Sequence, residues 1–181
     1  MTEINTPFIL LTFILVFATY TDIKSHLIPN ALSLGGILIG FSLNTYQTGF
    51  DGFLFSLGGL GVGFGLLIPF YMLKGMAAGD VKLMAAIGTF MGPSITFAIV
   101  LSTLICGSLL ALAYIVIKKG GKLTFQRYAI MLKTFFTTHK WIYIKPSGKD
   151  VGSLRFPYAS AILIGTFVGV YSINKTLPFY T

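Results

Sequence analysis

The chain has 181 residues, of which 55% are hydrophobic and only 10% charged, and its mean hydropathy is +0.84. Because soluble domains carry roughly 25% charged residues, this composition excludes an ordinary soluble protein and predicts one integral membrane domain over residues 1–181. The formal charge of +8 is not accompanied by any recognition motif for nucleic acid. The single cysteine, Cys106, excludes an intramolecular disulfide or a cysteine-rich zinc site, so we expect no metal or other cofactor.

Six apolar runs in chain order predict an all-α, polytopic bundle of about six transmembrane helices. A spanning helix needs roughly 17 to 25 residues. The fourth run is short and is closed by Gly92-Pro93, so alone it could be re-entrant; it reaches spanning length if Asp80 and Lys82 belong to its first turn. The runs cover about 7–20, 31–46, 53–73, 81–91, 95–117 and 156–173.

The basic residues are distributed unequally between the two ends of these runs. With six spans, twelve of the thirteen Lys and Arg residues fall in the loops after the first, third and fifth, and only Lys175 falls on the other side. Cytoplasmic loops of membrane proteins are enriched in Lys and Arg, so these loops are predicted to be cytoplasmic. We therefore expect a multi-pass protein of the cytoplasmic (inner) membrane, with Asp22 and Asp80 both at its cytoplasmic face.

Glycine pairs at four-residue spacing predict close packing of the second and third helices, because small residues at this spacing let helix backbones approach each other. The pairs are Gly36 with Gly40, Gly59 with Gly63, and Gly61 with Gly65.

The basic segment 118–155 is predicted to contain an amphipathic helix on the inner leaflet, in contact with anionic membrane lipids. Its apolar side chains recur at helical spacing, at Phe125, Tyr128, Ala129, Leu132, Phe135 and Phe136. Nucleic-acid binding is the weaker interpretation of the same charges.

Asp22 ends the first apolar run and precedes the tripeptide Ile28-Pro29-Asn30. Pro29 prevents the first helix from continuing, and Asn30 is expected to be the N-cap of the second. A carboxylate at a membrane boundary also occurs as an ordinary interfacial charge, which is the alternative interpretation.

Asp80 follows the small residues Ala77, Ala78 and Gly79, which allow a helix start to approach a neighbouring backbone or a substrate closely. Simple capping by Asp80 is the alternative, because a helix N-terminus stabilises an anion. Lys82 lies two residues further on, so it is expected to point away from Asp80, toward lipid headgroups or substrate backbone.

Together these stretches resemble the type IV prepilin peptidase family, membrane aspartic peptidases of the Gly-x-Gly-Asp type. The first family motif matches fully at Asp22 and Ile28-Pro29-Asn30. The second, Gly-x-Gly-Asp-x-Lys, matches from Ala77 to Lys82 with alanine in place of the first glycine. The segment 155–159, which includes Pro157, looks like the motif that opens the family's last helix.

The resemblance implies that Asp22 and Asp80 are a catalytic dyad, with supporting or substrate-binding roles for the other motif residues. Two carboxyl groups in hydrogen-bonding range share one proton, so one can deprotonate water while the other protonates the peptide. The implied substrate is a pilin precursor with a short basic leader and an apolar helix. The motif residues outside the dyad are Ile28, Pro29, Asn30, Gly79, Lys82 and Pro157.

The resemblance also implies a short, peptidase-only form, since longer members carry paired cysteines that this chain lacks. An archaeal preflagellin peptidase would use the same chemistry, and a homo-oligomer is left open. From another class, a proton-coupled transporter or assembly subunit is the alternative, and it predicts carboxylates near mid-bilayer.

Overall fold

The computed structural model describes residues 5–73, 75–117, 129–131, 133–134, 137 and 157–176, and the elements in these ranges are all helices. The predicted all-α class is confirmed. Three stretches, Pro7–Ser25, Phe50–Met72 and Ala78–Ala113, are long and apolar enough to cross a membrane, and Ala159–Ile173 is a shorter apolar helix. That six segments cross the bilayer stays a prediction. The helices are α1 (Asn5–Ser25), α2 (Asn30–Thr48), α3 (Phe50–Met72), α4 (Ala78–Ile117) and α5 (Ala159–Thr176).

α4 reverses its direction at Gly92, which has φ 71° and ψ 177°, far from helical values, and is followed by Pro93. Before the break α4 runs parallel to α2; after it, α4 runs antiparallel to α5. Because α1 is antiparallel to both α2 and α5, the two halves of α4 point in opposite directions. The contacts that fix these directions are Asn30–Lys82, Gly36–Ala86, Gly40–Thr89, Ile14–Gly36, Phe8–Phe167, Asp22–Ala159, Tyr158–Gly107, Gly165–Thr103 and Gly169–Ile99.

The first half of α4 is the centre of the bundle. Its residues from Leu83 to Gly92 are all buried. They belong to a core that also receives side chains from the other helices, among them Leu15 of α1, Leu67 of α3 and Ile162 of α5. In the first turn of α4, Asp80 and Val81 are also buried, so Asp80 reaches the interior of the bundle.

Close glycine packing is confirmed for two of the three predicted pairs. A Cβ added at Gly59 or Gly63 would overlap the backbone of α4, and Gly36 and Gly40 lie against its side chains. The prediction for Gly61 and Gly65 is wrong, because neither has an atom within 4 Å of an added Cβ. Successive residues of a helix are about 100° apart, so positions two apart face nearly opposite directions.

A buried polar cluster joins α2, α3 and α4. The Asn44 side-chain amide donates hydrogen bonds to the Thr89 carbonyl (2.7 Å) and to Ser56 Oγ (3.0 Å). The Ser56 hydroxyl donates to the same carbonyl at 2.8 Å. These bonds fix the depth of α4 relative to the α2–α3 hairpin, and therefore the depth of Asp80.

The chain divides into two compact units, one of residues 1–107 and 157–181 and one of residues 108–156. In the second unit, the described residues 129–131, 133–134 and 137 have helical backbone, and the hydroxyls of Thr134 and Thr137 donate to carbonyls four residues earlier. Most of the predicted amphipathic segment 118–155 lies outside the described residues, so its place at the membrane surface stays a prediction.

Candidate active site

Asp22 lies in the last turn of α1, with its side chain directed into the bundle. The helix ends at Ser25, and His26 follows with φ 52° and donates its N–H to the Asp22 carbonyl at 2.8 Å. Asp22 itself is only 7% exposed, and its Oδ2 accepts a 2.9 Å hydrogen bond from the backbone N–H of Ala159. An ordinary interfacial charge would be exposed, so the burial of Asp22 and its backbone donor do not favour that interpretation.

The bond from Ala159 places the Asp22 carboxyl at the start of α5. The first N–H groups of a helix have no partner within the helix, and the helix dipole favours negative charge there. Asp22 therefore caps α5 across the bundle, and its burial is compensated by a backbone donor.

Asp80 is the third residue of α4 and is 5% exposed. Its Oδ2 accepts a 3.2 Å hydrogen bond from the backbone N–H of Ala77, and its own N–H donates to the Ala77 carbonyl at 3.2 Å. Asp80 thus receives a local backbone bond, as the capping interpretation predicts. Capping alone does not require burial, however, and Asp80 is buried as deeply as Asp22.

The two buried carboxyl groups lie at the same end of the bundle. α1 ends there and α4 begins there, and the carboxyls are near enough for the charge on Asp22 to act on Asp80. Tyr158, directly before α5, is also within the electrostatic reach of Asp80. The candidate site therefore holds two buried carboxyl groups at one end of the bundle, each bound by one backbone N–H.

Ile28 and Gly79 bring the two motifs into contact. A Cβ built at Gly79 would lie 3.2 Å from Ile28 Cβ and 3.7 Å from its Cγ1 and Cδ1. The expectation that small residues before Asp80 allow close approach is confirmed at this position. Ile28, in the turn between α1 and α2, packs against Gly79. A residue larger than glycine at position 79 would push this turn away from the start of α4.

The expected capping role of Asn30 is wrong. Pro29 occupies the N-cap position with φ −59° and ψ 131°, its carbonyl accepts the Leu32 N–H at 3.0 Å, and Asn30 is the first residue of α2. The fixed φ of proline suits this non-helical position. The Asn30 side chain instead accepts a 2.9 Å hydrogen bond from the Lys82 ammonium.

Lys82 is exposed whereas Asp80 is buried, so the two side chains face different surroundings, as their spacing predicts. The Lys82–Asn30 bond is a second link between the motifs, on the outer side of the Ile28–Gly79 contact.

Pro157 lies just before α5, and its carbonyl accepts hydrogen bonds from the N–H (3.3 Å) and the hydroxyl (2.7 Å) of Ser160. It supports the first turn of α5, which supplies the donor to Asp22. Arg155 and Phe156 of the same predicted motif lie outside the described residues.

Two contributors were not predicted as site residues: the N–H of Ala159, and Thr19, whose hydroxyl donates to the Ala159 carbonyl at 3.3 Å. The sequence predicts that a helix starts after Pro157 and that its first N–H groups lack partners within the helix. It does not predict that the N–H of Ala159 binds Asp22, because an alanine side chain gives no indication of the acceptor. Within the described ranges, no three His, Cys, Asp or Glu residues are grouped so that they could hold a metal ion. The chemistry available from the described site is proton transfer by two carboxyl groups.

The family model described as the type IV leader peptidase family matches residues 9–116, which contain Asp22, Asp80 and every other predicted site residue except Pro157. Comparisons with curated proteins and with solved structures gave no match. The matched span covers more than half of the 181 residues. The chain is therefore a membrane peptidase that belongs to the type IV leader peptidase family.

Proposed function

We propose that this protein is a membrane aspartic endopeptidase that removes the short basic leader from prepilin-like precursors at the cytoplasmic membrane interface. Asp22 and Asp80 are its catalytic dyad and water is the nucleophile. The observation that carries the proposal is the burial of both carboxyl groups at one end of the bundle, within electrostatic reach of each other.

In the proposed reaction the ionised carboxylate takes a proton from water as the water oxygen attacks the scissile carbonyl carbon. The protonated partner donates its proton to the carbonyl oxygen. The C–N bond of the resulting gem-diol then breaks: the leaving amine takes a proton from the newly protonated aspartate, and one gem-diol hydroxyl returns its proton to the other aspartate, so the dyad again holds one proton. The Ala159 N–H supports the geometry of this step, because it holds one oxygen of Asp22 in place.

The position of the dyad suits a precursor whose basic leader stays in the cytoplasm and whose apolar helix enters the membrane. The excess of Lys and Arg in alternate loops supports a cytoplasmic location for this end. We assign the basic segment 118–155 to anionic lipid, since like charges would repel a basic leader. An archaeal preflagellin substrate would require the same chemistry.

A proton-coupled transporter or assembly subunit is less well supported. Carboxylates that carry protons across a membrane are expected along the inside of the spans. Here Asp22 is three residues before the end of the candidate span Pro7–Ser25, and Asp80 is the third residue of the candidate span Ala78–Ala113. Positions at the helix ends favour hydrolysis at an interface.

The proposal is tested by co-expression with a prepilin, comparing wild type with Asp22→Asn and Asp80→Asn. Removing a general acid or base slows a reaction roughly 100-fold to 10,000-fold, so each variant should leave the precursor uncleaved at times when wild type has finished. Asp51→Asn is the matched control, because Asp51 is exposed in the first turn of α3, at the other end of the bundle. Immunoblots of precursor, product and enzyme measure the outcome. Wild-type processing by either dyad variant would remove that aspartate from the mechanism.

A further inference from the structure

A groove lies between α2 and the first half of α4, on the outer side of the bundle. Its volume is about 310 Å³, and it is lined by Asn30, Ser33, Leu34, Ile37 and Lys82. It is separate from the dyad: Lys82 is exposed, whereas Asp80, two residues earlier on α4, is buried. The groove therefore opens on the outer surface of the helix bundle and not into its interior.

The groove changes from polar to apolar along α2. Its four α2 residues stand at positions i, i+3, i+4 and i+7, so they form one stripe on the helix. Asn30 begins the stripe at the helix start, beside Lys82. Ile37 lies about 10 Å further along the axis, at a rise of about 1.5 Å per residue. Polar groups thus lie at the end of the bundle that holds the dyad, and aliphatic groups lie deeper.

The polar end offers more hydrogen-bond donors than its neighbours use. An ammonium group has three N–H donors, and Asn30 accepts one from Lys82. Ser33 is 1% exposed, and its Oγ has no hydrogen-bond partner among the described residues. Helical serines often donate to the carbonyl four residues earlier. At Ser33 that carbonyl belongs to Pro29 and accepts the backbone N–H groups of Leu32 and Ser33.

We propose that this groove binds one anionic phospholipid. Its headgroup phosphate accepts hydrogen bonds from Lys82 and Ser33, and an acyl chain lies along Leu34 and Ile37. A positive charge and a buried hydroxyl without a partner complement a phosphate. The aliphatic residues continue toward Leu38, which is 60% exposed, so the order of groups along α2 is that of a lipid at the membrane surface. The inference goes beyond the proposed peptidase function and does not depend on it.

The test is native mass spectrometry of the purified full chain in detergent, titrated with phosphatidylglycerol or with zwitterionic phosphatidylcholine. Both lipids offer a phosphate to Lys82, but the choline cation of phosphatidylcholine opposes the ammonium charge, so wild type should retain phosphatidylglycerol at concentrations about tenfold lower than phosphatidylcholine. Lys82→Gln should remove that difference, and Ser33→Ala should weaken phosphatidylglycerol binding about threefold. Lys24→Gln is the matched control, because Lys24 is an exposed lysine in the last turn of α1, at the same end of the bundle.

Equal retention of the two lipids by wild type, or equal effects of Lys82→Gln and Lys24→Gln, would overturn the proposal. Displacement of the lipid by millimolar inorganic phosphate would also overturn it, and would assign the groove to a soluble anion. Binding of a prepilin peptide that Lys82→Gln abolishes, with lipid binding unchanged, would assign the groove to the substrate. If Lys82→Gln lowers the unfolding temperature, so that weaker lipid binding could reflect a destabilised protein, Ser33→Ala tests lipid binding independently. None of these measurements uses cleavage, so failure here leaves the peptidase proposal standing.

Discussion

Gly59→Ala and Gly61→Ala are expected to change the stability of the protein in opposite directions, although the residues are two positions apart on α3. A Cβ at Gly59 would overlap the Gly88 carbonyl oxygen and lie 2.7 Å from its carbon and 2.9 Å from Gly92 Cα. A Cβ at Gly61 would have no atom within 4 Å. The atoms facing Gly59 are backbone atoms beside the break in α4, so no side-chain rotation can relieve the overlap.

The magnitudes follow from two opposing effects. Forcing extra atoms into a packed core costs about 1–3 kcal/mol, and alanine recovers about 0.5–1 kcal/mol over glycine within a helix. Gly59→Ala should therefore lower the free energy of unfolding by about 1–2 kcal/mol, because the overpacking term is the larger. Gly61→Ala should raise it by about 0.5–1 kcal/mol, because only the helix preference changes.

Thermal unfolding of the two variants in one detergent, followed by circular dichroism, measures the difference. For chains of 150–250 residues each kcal/mol corresponds to roughly 2–4 °C, so the two melting temperatures should differ by about 3–12 °C. Gly59→Ala should also slow prepilin processing, since the displaced half of α4 carries Asp80. Equal melting temperatures, or a more stable Gly59→Ala, would refute the packing of α3 against α4 described above.

Three contacts near the dyad can be tested individually by prepilin conversion and thermal unfolding. Gly79→Val should reduce conversion about tenfold or more and lower the melting temperature by several degrees, because overpacking against Ile28 by about 1–3 kcal/mol shifts the start of α4; conversion at the wild-type rate would contradict this. Asn30→Ala removes the acceptor for Lys82 and should lower the free energy of unfolding by no more than about 1.5 kcal/mol. If the two residues act through this bond, the double variant with Lys82→Gln should be little less stable than Asn30→Ala alone. Ala159→Pro removes the N–H donor to Asp22 at the first position of α5, where proline is tolerated, and should slow conversion about tenfold or more through loss of a bond worth about 1.5–3 kcal/mol. A variant that melts lower yet cleaves normally would show that the Ala159 bond is only structural.

The sequence predicted much of the helical arrangement because a membrane imposes simple rules on it. Apolar runs identify helices, and Gly92-Pro93 marks a point where a helix breaks, which is where α4 reverses. The alternation of basic loops placed Asp22 and Asp80 at one face, and the structure has both at one end of the bundle. These inferences depend on chain order and composition, which can be read without coordinates.

Predictions that required knowing which side of a helix faces which neighbour were less successful. The spacing of Gly61 and Gly65 equals that of Gly59 and Gly63, and only contact with α4 distinguishes the two pairs. Asn30 has the composition of an N-cap, but Pro29 takes that position and the amide binds Lys82 instead. Such choices are decided by tertiary neighbours, which local sequence does not contain.

The start of α5 shows that the candidate site extends beyond the span that the family model matches. The matched span ends at residue 116, yet Asp22 is bound by the N–H of Ala159. A buried carboxylate without a donor would be unfavourable by several kcal/mol, so the motif residues on α1 and α4 are not sufficient to hold the dyad. Any residue except proline at position 159 can supply the same N–H, because the donor is backbone. The site thus requires only that a helix starts at this position. This explains why the start of α5 contributes through the backbone of Pro157 and Ala159 and not through a reactive side chain.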